Sequence, residues 1–112
     1  MTTISVASWN VNSIRARLNL LLEWMKSNKP DIILLQELKA VNEAVPKEEL
    51  EDLNYNLALK GQKGYNGVAI LSKYPISDIQ YNLPNFQDDL QSRYIEAWID
   101  IKGKGIRVAS IY

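Results

Sequence analysis

The order of apolar and polar positions predicts a strand, a helix and a second strand at the start of the chain. Residues 4–9 alternate with the period of two that marks a half-buried strand. Residues 10–13 contain two asparagines and a serine, as in the turn and N-cap before a helix, and Asn28 and Pro30 are typical of a helix end. Between them, one face of the predicted helix collects Ile14, Leu18, Leu21, Leu22 and Met25.

The second strand is predicted over residues 31–37, where consecutive aliphatic residues indicate burial on both faces. A strand, a helix and a strand in such close succession form a right-handed βαβ unit with parallel strands. Asn10 and Glu37 each follow one of these strands, so both are expected at the same edge of the sheet. Ligands of open α/β sheets bind at that edge. The topology therefore predicts a candidate site at this pair.

The rest of the chain is predicted to consist mainly of strands, which makes the chain α/β. Residues 41–52 are expected to form a loop and a short helix entered through Pro46. Residues 82–92 are predicted as a loop, and residues 102–105 as a hairpin turn. The predicted strands are 55–60, 67–72, 76–81, 94–101 and 106–112. A chain of 112 residues has room for one domain, residues 1–112.

Composition excludes several kinds of site. The 13 basic residues balance the 13 acidic ones, so nucleic-acid binding would need a local basic patch. Cysteine and histidine are absent, which excludes disulfides, thiolate nucleophiles, Ser-His-Asp triads and His-ligated metals. A metal would have to be a hard cation held by oxygen atoms. No targeting segment is recognised, and the aliphatic run at residues 32–35 is too short to cross a bilayer. We therefore expect a cytoplasmic protein with no membrane partner.

Glu37 is the first candidate for chemistry, because a carboxylate directly after a buried strand is costly unless it is paired. Binding of a divalent cation would pair it, and Mg²⁺ typically uses one or two carboxylates with waters and phosphate oxygens. The alternative is a solvated glutamate paired with Lys39. Asn10 and Asn12 would orient a phosphate or a carboxylate through their amides, or serve only as turn and cap residues.

A basic surface with an exposed ring is predicted in the middle of the chain. Lys60, Lys63 and Lys73 lie in residues 53–77, a stretch without an acidic residue, and Tyr65 lies there between two glycines. Such a surface suits a phosphate backbone and a base or sugar, whereas the alternative is an ordinary hairpin turn.

Two further residues near the end of the sequence are candidates for phosphate contact. Arg93 precedes a predicted strand and would clamp a phosphate bidentately, or else pair with Asp88 or Asp89. Tyr112 would hydrogen-bond a phosphoryl oxygen from a strand end, or only pack.

Four segments resemble one family in their order and spacing. They are residues 8–16 (SWNVNSIRA), 34–39 (LLQELK), 64–70 (GYNGVAI), and Arg93 followed by a strand that ends in SIY at residues 110–112. This combination resembles the exodeoxyribonuclease III group, the bacterial abasic-site endonucleases of the endonuclease/exonuclease/phosphatase superfamily. The resemblance extends over essentially all 112 residues.

The resemblance implies the N-terminal half of a four-layer α/β sandwich, in which two mixed sheets pack face to face between flanking helices. It implies Mg²⁺-dependent (or Mn²⁺-dependent) hydrolysis of double-stranded DNA 5′ to an abasic site, with 3′→5′ exonuclease and 3′-phosphatase activities on damaged 3′ ends. Glu37 would be the metal ligand, Asn10 a metal-supporting and catalytic residue, and Tyr112 a catalytic contact of the scissile phosphate. The nucleic-acid-binding residues would be Asn12, Lys39, Tyr65 and Arg93.

The sequence departs from the family's pattern after Tyr112. The Pro-Asn expected next, the Asp-x-Asn motif expected after it and the closing Ser-Asp-His motif do not follow, and no histidine occurs anywhere. We therefore expect a truncated domain that is inactive on its own, the alternative being a short native terminal strand.

If the second sheet is absent, the first sheet has an uncovered inner face. Such a face would cause self-association or require a second polypeptide that carries the missing half. The rival hypotheses for function are a non-enzymatic interaction module and a phosphoesterase that acts on a non-DNA phosphate.

Overall fold

The computed structural model of the chain describes residues 3–86 and 88–112. Within these residues seven strands, two α-helices and a 3₁₀ turn follow one another. They are β1 (Val6–Asn10), α1 (Leu18–Asn28), β2 (Ile32–Gln36), the 3₁₀ turn (Asn42–Ala44), α2 (Lys47–Glu51), β3 (Asn56–Lys60), β4 (Val68–Ser72), β5 (Ile76–Gln80), β6 (Tyr94–Ile101) and β7 (Lys104–Ile111). Each predicted strand is observed, with ends that differ by one or two residues.

The βαβ unit predicted from the sequence is present. Strands β1 and β2 pair in parallel, in a register that places Asn10 opposite Gln36. Helix α1 makes the crossover and ends at Asn28, where Lys29 adopts a left-handed conformation and its N–H donates to the carbonyl of Met25 at 2.8 Å. Antiparallel pairing of β4 with β2 and β3 completes a mixed sheet of order β1-β2-β4-β3.

A second sheet, of order β5-β6-β7 and wholly antiparallel, packs against the first. The core between the sheets contains Ile32, Ala58, Val68 and Ile70 from the first sheet and Ile95, Ala97, Ile99 and Ile101 from the second. The condition given for an uncovered inner face, absence of the second sheet, is therefore not met. Alternation alone does not show which sheet a strand joins, and β5–β7 form the missing cover.

The helices cover the other face of the first sheet. Leu21 and Met25 of α1 and Leu50 of α2 are buried in one cluster with Ile33 and Leu35 of β2. Strand β2 thus packs against helices on one side and against the second sheet on the other, which explains its continuous aliphatic sequence. The described residues form three layers of an α/β fold. No helix among them is long and apolar enough to span a membrane.

Helix α1 begins at Leu18, four residues later than the apolar stripe predicted. The backbone after β1 continues to pair with the segment after β2, because the N–H groups of Val11, Ser13 and Ile14 donate to the carbonyls of residues 36, 37 and 38 at 2.9–3.0 Å. These N–H groups are therefore hydrogen-bonded to the segment after β2 and not within a helix. Ile14 is nevertheless fully buried, as its apolar position predicted.

The hairpin between β6 and β7 is tighter than predicted. Ile101 pairs directly with Lys104, so the turn consists of Lys102 and Gly103 rather than residues 102–105. Both turn residues have positive φ, 51° and 85°, which is the requirement of a type I′ turn and matches the twist of the strands.

Candidate active site

The carboxyl ends of β1 and β2 place Asn10 beside Glu37. The Asn10 side chain donates from Nδ2 to Glu37 Oε1 at 2.7 Å. This is the juxtaposition that the parallel crossover predicted, because both residues follow their strands at one edge of the sheet.

Three of the loop residues at this edge have left-handed backbone conformations. The φ angles of Asn12, Glu37 and Lys39 are 47°, 56° and 53°. Such conformations cost roughly 1–3 kcal/mol outside glycine and cluster at functional sites. They persist here because the backbone is fixed on both sides: Ser13 donates to the carbonyl of Glu37 at 2.9 Å, and Lys39 donates to that of Asn66 at 3.0 Å.

Lys39 connects the two loops through its ammonium group. Its Nζ donates to Asn12 Oδ1 at 2.6 Å and lies 3.6 Å from Glu37 Oε2. The backbone N–H of Asn12 in turn donates to Asn10 Oδ1 at 3.1 Å. The pairing of Glu37 with Lys39, considered as an alternative, is thus observed, but the Glu37 side chain keeps 20% exposure and an open side.

Tyr112 interacts with the same carboxylate from the second sheet, and Arg93 is bound to Tyr112. The Tyr112 hydroxyl and the Glu37 carboxylate are near enough for each to shift the pKa of the other. Arg93 Nε donates to the main-chain oxygen of Tyr112 at 2.9 Å, the Tyr112 N–H donates to the Arg93 carbonyl at 2.9 Å, and the guanidinium carbon lies 5.5 Å from the Tyr112 ring centroid. Arg93 is therefore oriented by Tyr112, which in turn interacts with Glu37.

Tyr65 lies at the margin of this cluster. Its side chain is 62% exposed at the tip of a loop. The following residues tie the loop to the site, because the carbonyls of Asn66 and Gly67 accept hydrogen bonds from Lys39 and Leu38, and the Gly67 N–H donates to the Ser92 carbonyl at 2.8 Å. The structure thus groups Asn10, Asn12, Glu37 and Lys39 by direct contacts and pairs Arg93 with Tyr112, while Tyr65 lies in the loop that Asn66 and Gly67 attach to the site.

The contacts of Glu37 favour its ionised form. Its pKa lies below the ordinary value of 4.5, chiefly because Asn10 donates to the carboxylate, with further lowering by the Tyr112 hydroxyl and the Lys39 charge against an opposing effect of desolvation. The pKa of Tyr112 is raised, since its hydroxyl donates to Glu37 and the negative charge there disfavours a phenolate. At neutral pH the site therefore holds a carboxylate and a protonated tyrosine.

A carboxyl titration would test the role of Asn10. In Asn10→Ala the pKa of Glu37 should rise towards 4.5, as followed by NMR of the side-chain carboxyl. Because the folded pKa is lowered, the stability it provides is present above about pH 4.5 and is lost as the pH falls through the folded pKa. Wild type should therefore lose more stability on acidification than Asn10→Ala. The exposed Asn19→Ala serves as control, and equal titration of Glu37 in all three proteins would contradict the assignment.

Gln36 and Ser110 support the site and were not identified as site residues from the sequence. Gln36 is buried and donates from Nε2 to Ser110 Oγ at 3.0 Å and to Ser8 Oγ at 3.2 Å, while the Ser110 hydroxyl donates to the Leu35 carbonyl at 2.7 Å. These bonds fix β7 to β2 next to Tyr112. The only signal in the sequence was a glutamine at the end of a buried aliphatic strand.

The donor atoms of the site fit a magnesium ion that takes most of its ligands from water and substrate. Within the part of the chain that the structure describes, no three His, Cys, Asp or Glu side chains form a metal-binding group. Glu37 offers one ionised carboxylate, which is held by Asn10 and whose side chain is 20% exposed. One carboxylate completed by waters and substrate phosphates is an arrangement typical of Mg²⁺, but not of zinc or calcium.

The α/β fold and a match to a known family identify the class of protein. The model of the Endonuclease/Exonuclease/phosphatase family matches residues 7–108, and the chain belongs to this family. The resemblance found from the sequence is therefore confirmed.

Individual relatives are DNA-repair nucleases. The chain is 41% identical over 90 residues to exodeoxyribonuclease III of Haemophilus influenzae, covering 80% of this chain and 34% of that protein. The solved structure of the 3′ phosphatase NExo from Neisseria, bound to a product DNA hairpin, matches with a TM-score of 0.91 and 37% identity, covering 98% of this chain and 41% of that one. An AP endonuclease from Archaeoglobus fulgidus matches with a TM-score of 0.84 and 38% identity at the same coverage. The chain thus spans roughly a third to two-fifths of the length of these proteins.

Proposed function

We propose that this chain carries the metal-anchoring part of a Mg²⁺-dependent DNA-repair phosphodiesterase that cleaves at abasic sites and trims damaged 3′ ends. The observation that carries the proposal is the hydrogen-bonded pair of Asn10 and Glu37, with Tyr112 interacting with Glu37 and Arg93 bound to Tyr112. The relatives support it, since they are nucleases and one is bound to a DNA hairpin. The cysteine-free composition suits a reducing compartment such as the cytoplasm.

Each residue has a distinct role in this proposal. Glu37 would hold Mg²⁺ (or Mn²⁺). Asn10 orients the Glu37 carboxylate and favours its ionised form by lowering its pKa. A bound cation supplies charge stabilisation to phosphate oxygens during phosphodiester cleavage. The protonated Tyr112 hydroxyl is placed to donate to a phosphoryl oxygen that enters beside Glu37. DNA phosphates would be bound by Lys39 and Arg93, with Asn12 positioning Lys39 and Tyr65 contacting a sugar or base.

We propose that the 112 residues need a further segment or a second polypeptide for catalytic turnover. The 112 residues contain no histidine to act as a general base, and they span 34% of the exodeoxyribonuclease III relative and 41% of the NExo chain. Among the described residues, strand β7 is at the edge of the second sheet. For the 112-residue chain we therefore expect DNA binding without measurable cleavage.

Binding of an abasic-site duplex, measured by fluorescence anisotropy in Mg²⁺, tests the proposal. Arg93→Gln should weaken binding and reduce the slope of log affinity against log salt by about one phosphate contact. The matched control is Lys104→Gln, because Lys104 pairs with Ile101 at the far end of the hairpin from Tyr112. Equal binding by both variants, or stronger competition by inositol phosphates than by intact duplex, would refute a DNA site and favour a non-DNA phosphoesterase.

A further inference from the structure

A cavity of about 290 Å³ lies directly beside Arg93 and Tyr112. Residues of the loop between β5 and β6 form one wall, and the start of β6 and the end of β7 form the other. Neither the Glu37 cluster nor the family motifs account for this cavity. It shares with the cluster only Arg93 and Tyr112, so whatever occupies it lies next to a group bound by these two residues.

The walls of the cavity are apolar and aromatic. Leu83 and Phe86 line it from the loop, and Tyr94 and Ile111 line it from the second sheet. Phe86 is 62% exposed and Ile111 is 61% exposed, so both present apolar surface to a ligand in the cavity. The Tyr94 hydroxyl donates to Glu96 at 2.7 Å and is therefore occupied, so Tyr94 offers its ring.

Two backbone hydrogen bonds hold Phe86 in the loop. The Phe86 N–H donates to the Leu83 carbonyl at 3.0 Å, and the Asp89 N–H donates to the Phe86 carbonyl at 3.1 Å. The ring is thus presented from a hydrogen-bonded backbone.

Polar groups are present at the rim. Gln91 lines the cavity, and its Oε1 accepts a hydrogen bond from Arg93 Nη1 at 3.3 Å. The carboxylate of Asp89 accepts from the Gln91 N–H at 3.0 Å and interacts with the charge of Lys60, so its negative charge is partly compensated. A ligand here would meet a ring face, aliphatic walls and an amide edge, with a guanidinium beside it.

We infer that this cavity is a nucleobase subsite, which accepts a base of the DNA strand whose phosphate is bound by Arg93. The inference rests on the proposed function. Base stacking on an aromatic ring beside a cationic groove is the usual way proteins hold unpaired bases, and it tolerates different sequences. The volume is near the lower limit for ligand pockets, so it suits one ring system rather than a larger group. The subsite would favour strands with an unpaired base near the cleaved bond.

Phe86→Ala is the direct test, because this exposed side chain can be removed without loss of core packing. Anisotropy would compare two DNA hairpins with an abasic site, one carrying an unpaired 2-aminopurine beside it and one carrying a second abasic residue instead. Phe86→Ala should weaken binding of the first hairpin on the order of tenfold and leave the second unchanged. In wild type the 2-aminopurine fluorescence should be quenched on binding, and this quenching should disappear in the variant.

Leu90→Ala is the matched control, since Leu90 lies on the same loop, is 92% exposed and does not line the cavity. Equal effects of Phe86→Ala and Leu90→Ala, or equal losses for both hairpins, would overturn the inference. If Arg93→Gln weakens binding of both hairpins while Phe86→Ala weakens neither, only the nucleobase subsite is wrong. If wild type binds neither hairpin, the proposed function fails as well.

Discussion

Replacing Ile70 by alanine is expected to lower the free energy of unfolding by about 3–4 kcal/mol. Ile70 is fully buried in β4, in the core that the two sheets share. The truncation removes apolar surface from burial and leaves a cavity, because strands on both sides restrict collapse. Small domains have a total stability of about 5–15 kcal/mol, so this loss is a large fraction of it. Urea denaturation followed by circular dichroism would measure the change.

The same experiment decides whether the two sheets form one cooperative unit. Ile106→Ala, at a 41% exposed position of β7, should cost less than about 1 kcal/mol and serves as control. Leu71→Ala removes a buried side chain from the opposite face, towards the helices, and should cost about as much as Ile70→Ala. A loss for Ile70→Ala as small as that of Ile106→Ala would show that the second sheet does not cover the first.

The sequence predicted the local elements well because each has a short-range signal. The β1-α1-β2 unit follows from a change of period, the helix-end residues Asn28 and Pro30, and an aliphatic run. It did not predict the assignment of β5–β7 to a second sheet. That assignment depends on contacts between distant residues, such as the hydrogen bond from Gln36 to Ser110 across 74 positions. No local pattern encodes such a contact.

The candidate site likewise has one part that could be predicted from the sequence and one part that could not. The pairing of Asn10 with Glu37 could be predicted because parallel strands end at one edge. Arg93 and Tyr112 were linked to that pair only by family resemblance, since they reach it from the other sheet. Beside Tyr112, the Ser110 hydroxyl is bonded to the Leu35 carbonyl, two residues before Glu37. The buried polar bonds between the sheets therefore also set the geometry of the site.

Gly61→Ala is expected to destabilise the chain by about 3 kcal/mol or more and to disturb Lys39. A Cβ atom at Gly61 would lie 2.3 Å from the Ala40 carbonyl oxygen and 2.8 Å from the Asn42 nitrogen. Both contacts are with backbone, so no side-chain rotation relieves them. Gly61 also donates its N–H to Asn42 Oδ1 at 2.6 Å and accepts from the Ser92 hydroxyl at 2.9 Å, so it fixes the segment after Lys39 to the segment before Arg93.

Gly64→Ala is the control, because it measures the cost of a positive φ angle without the close backbone contacts found at Gly61. Gly64 has a φ of 82° but no atom within 4 Å of an added Cβ, so the substitution should cost only about 1–2 kcal/mol. Denaturation would measure both variants, and the amide shifts of Lys39 and Arg93 would report displacement at the site. If Gly61→Ala is no more costly than Gly64→Ala and leaves those shifts unchanged, the contact between the two segments does not position the site. The expected result is the opposite, because a displaced backbone at Ala40 moves the lysine that precedes it.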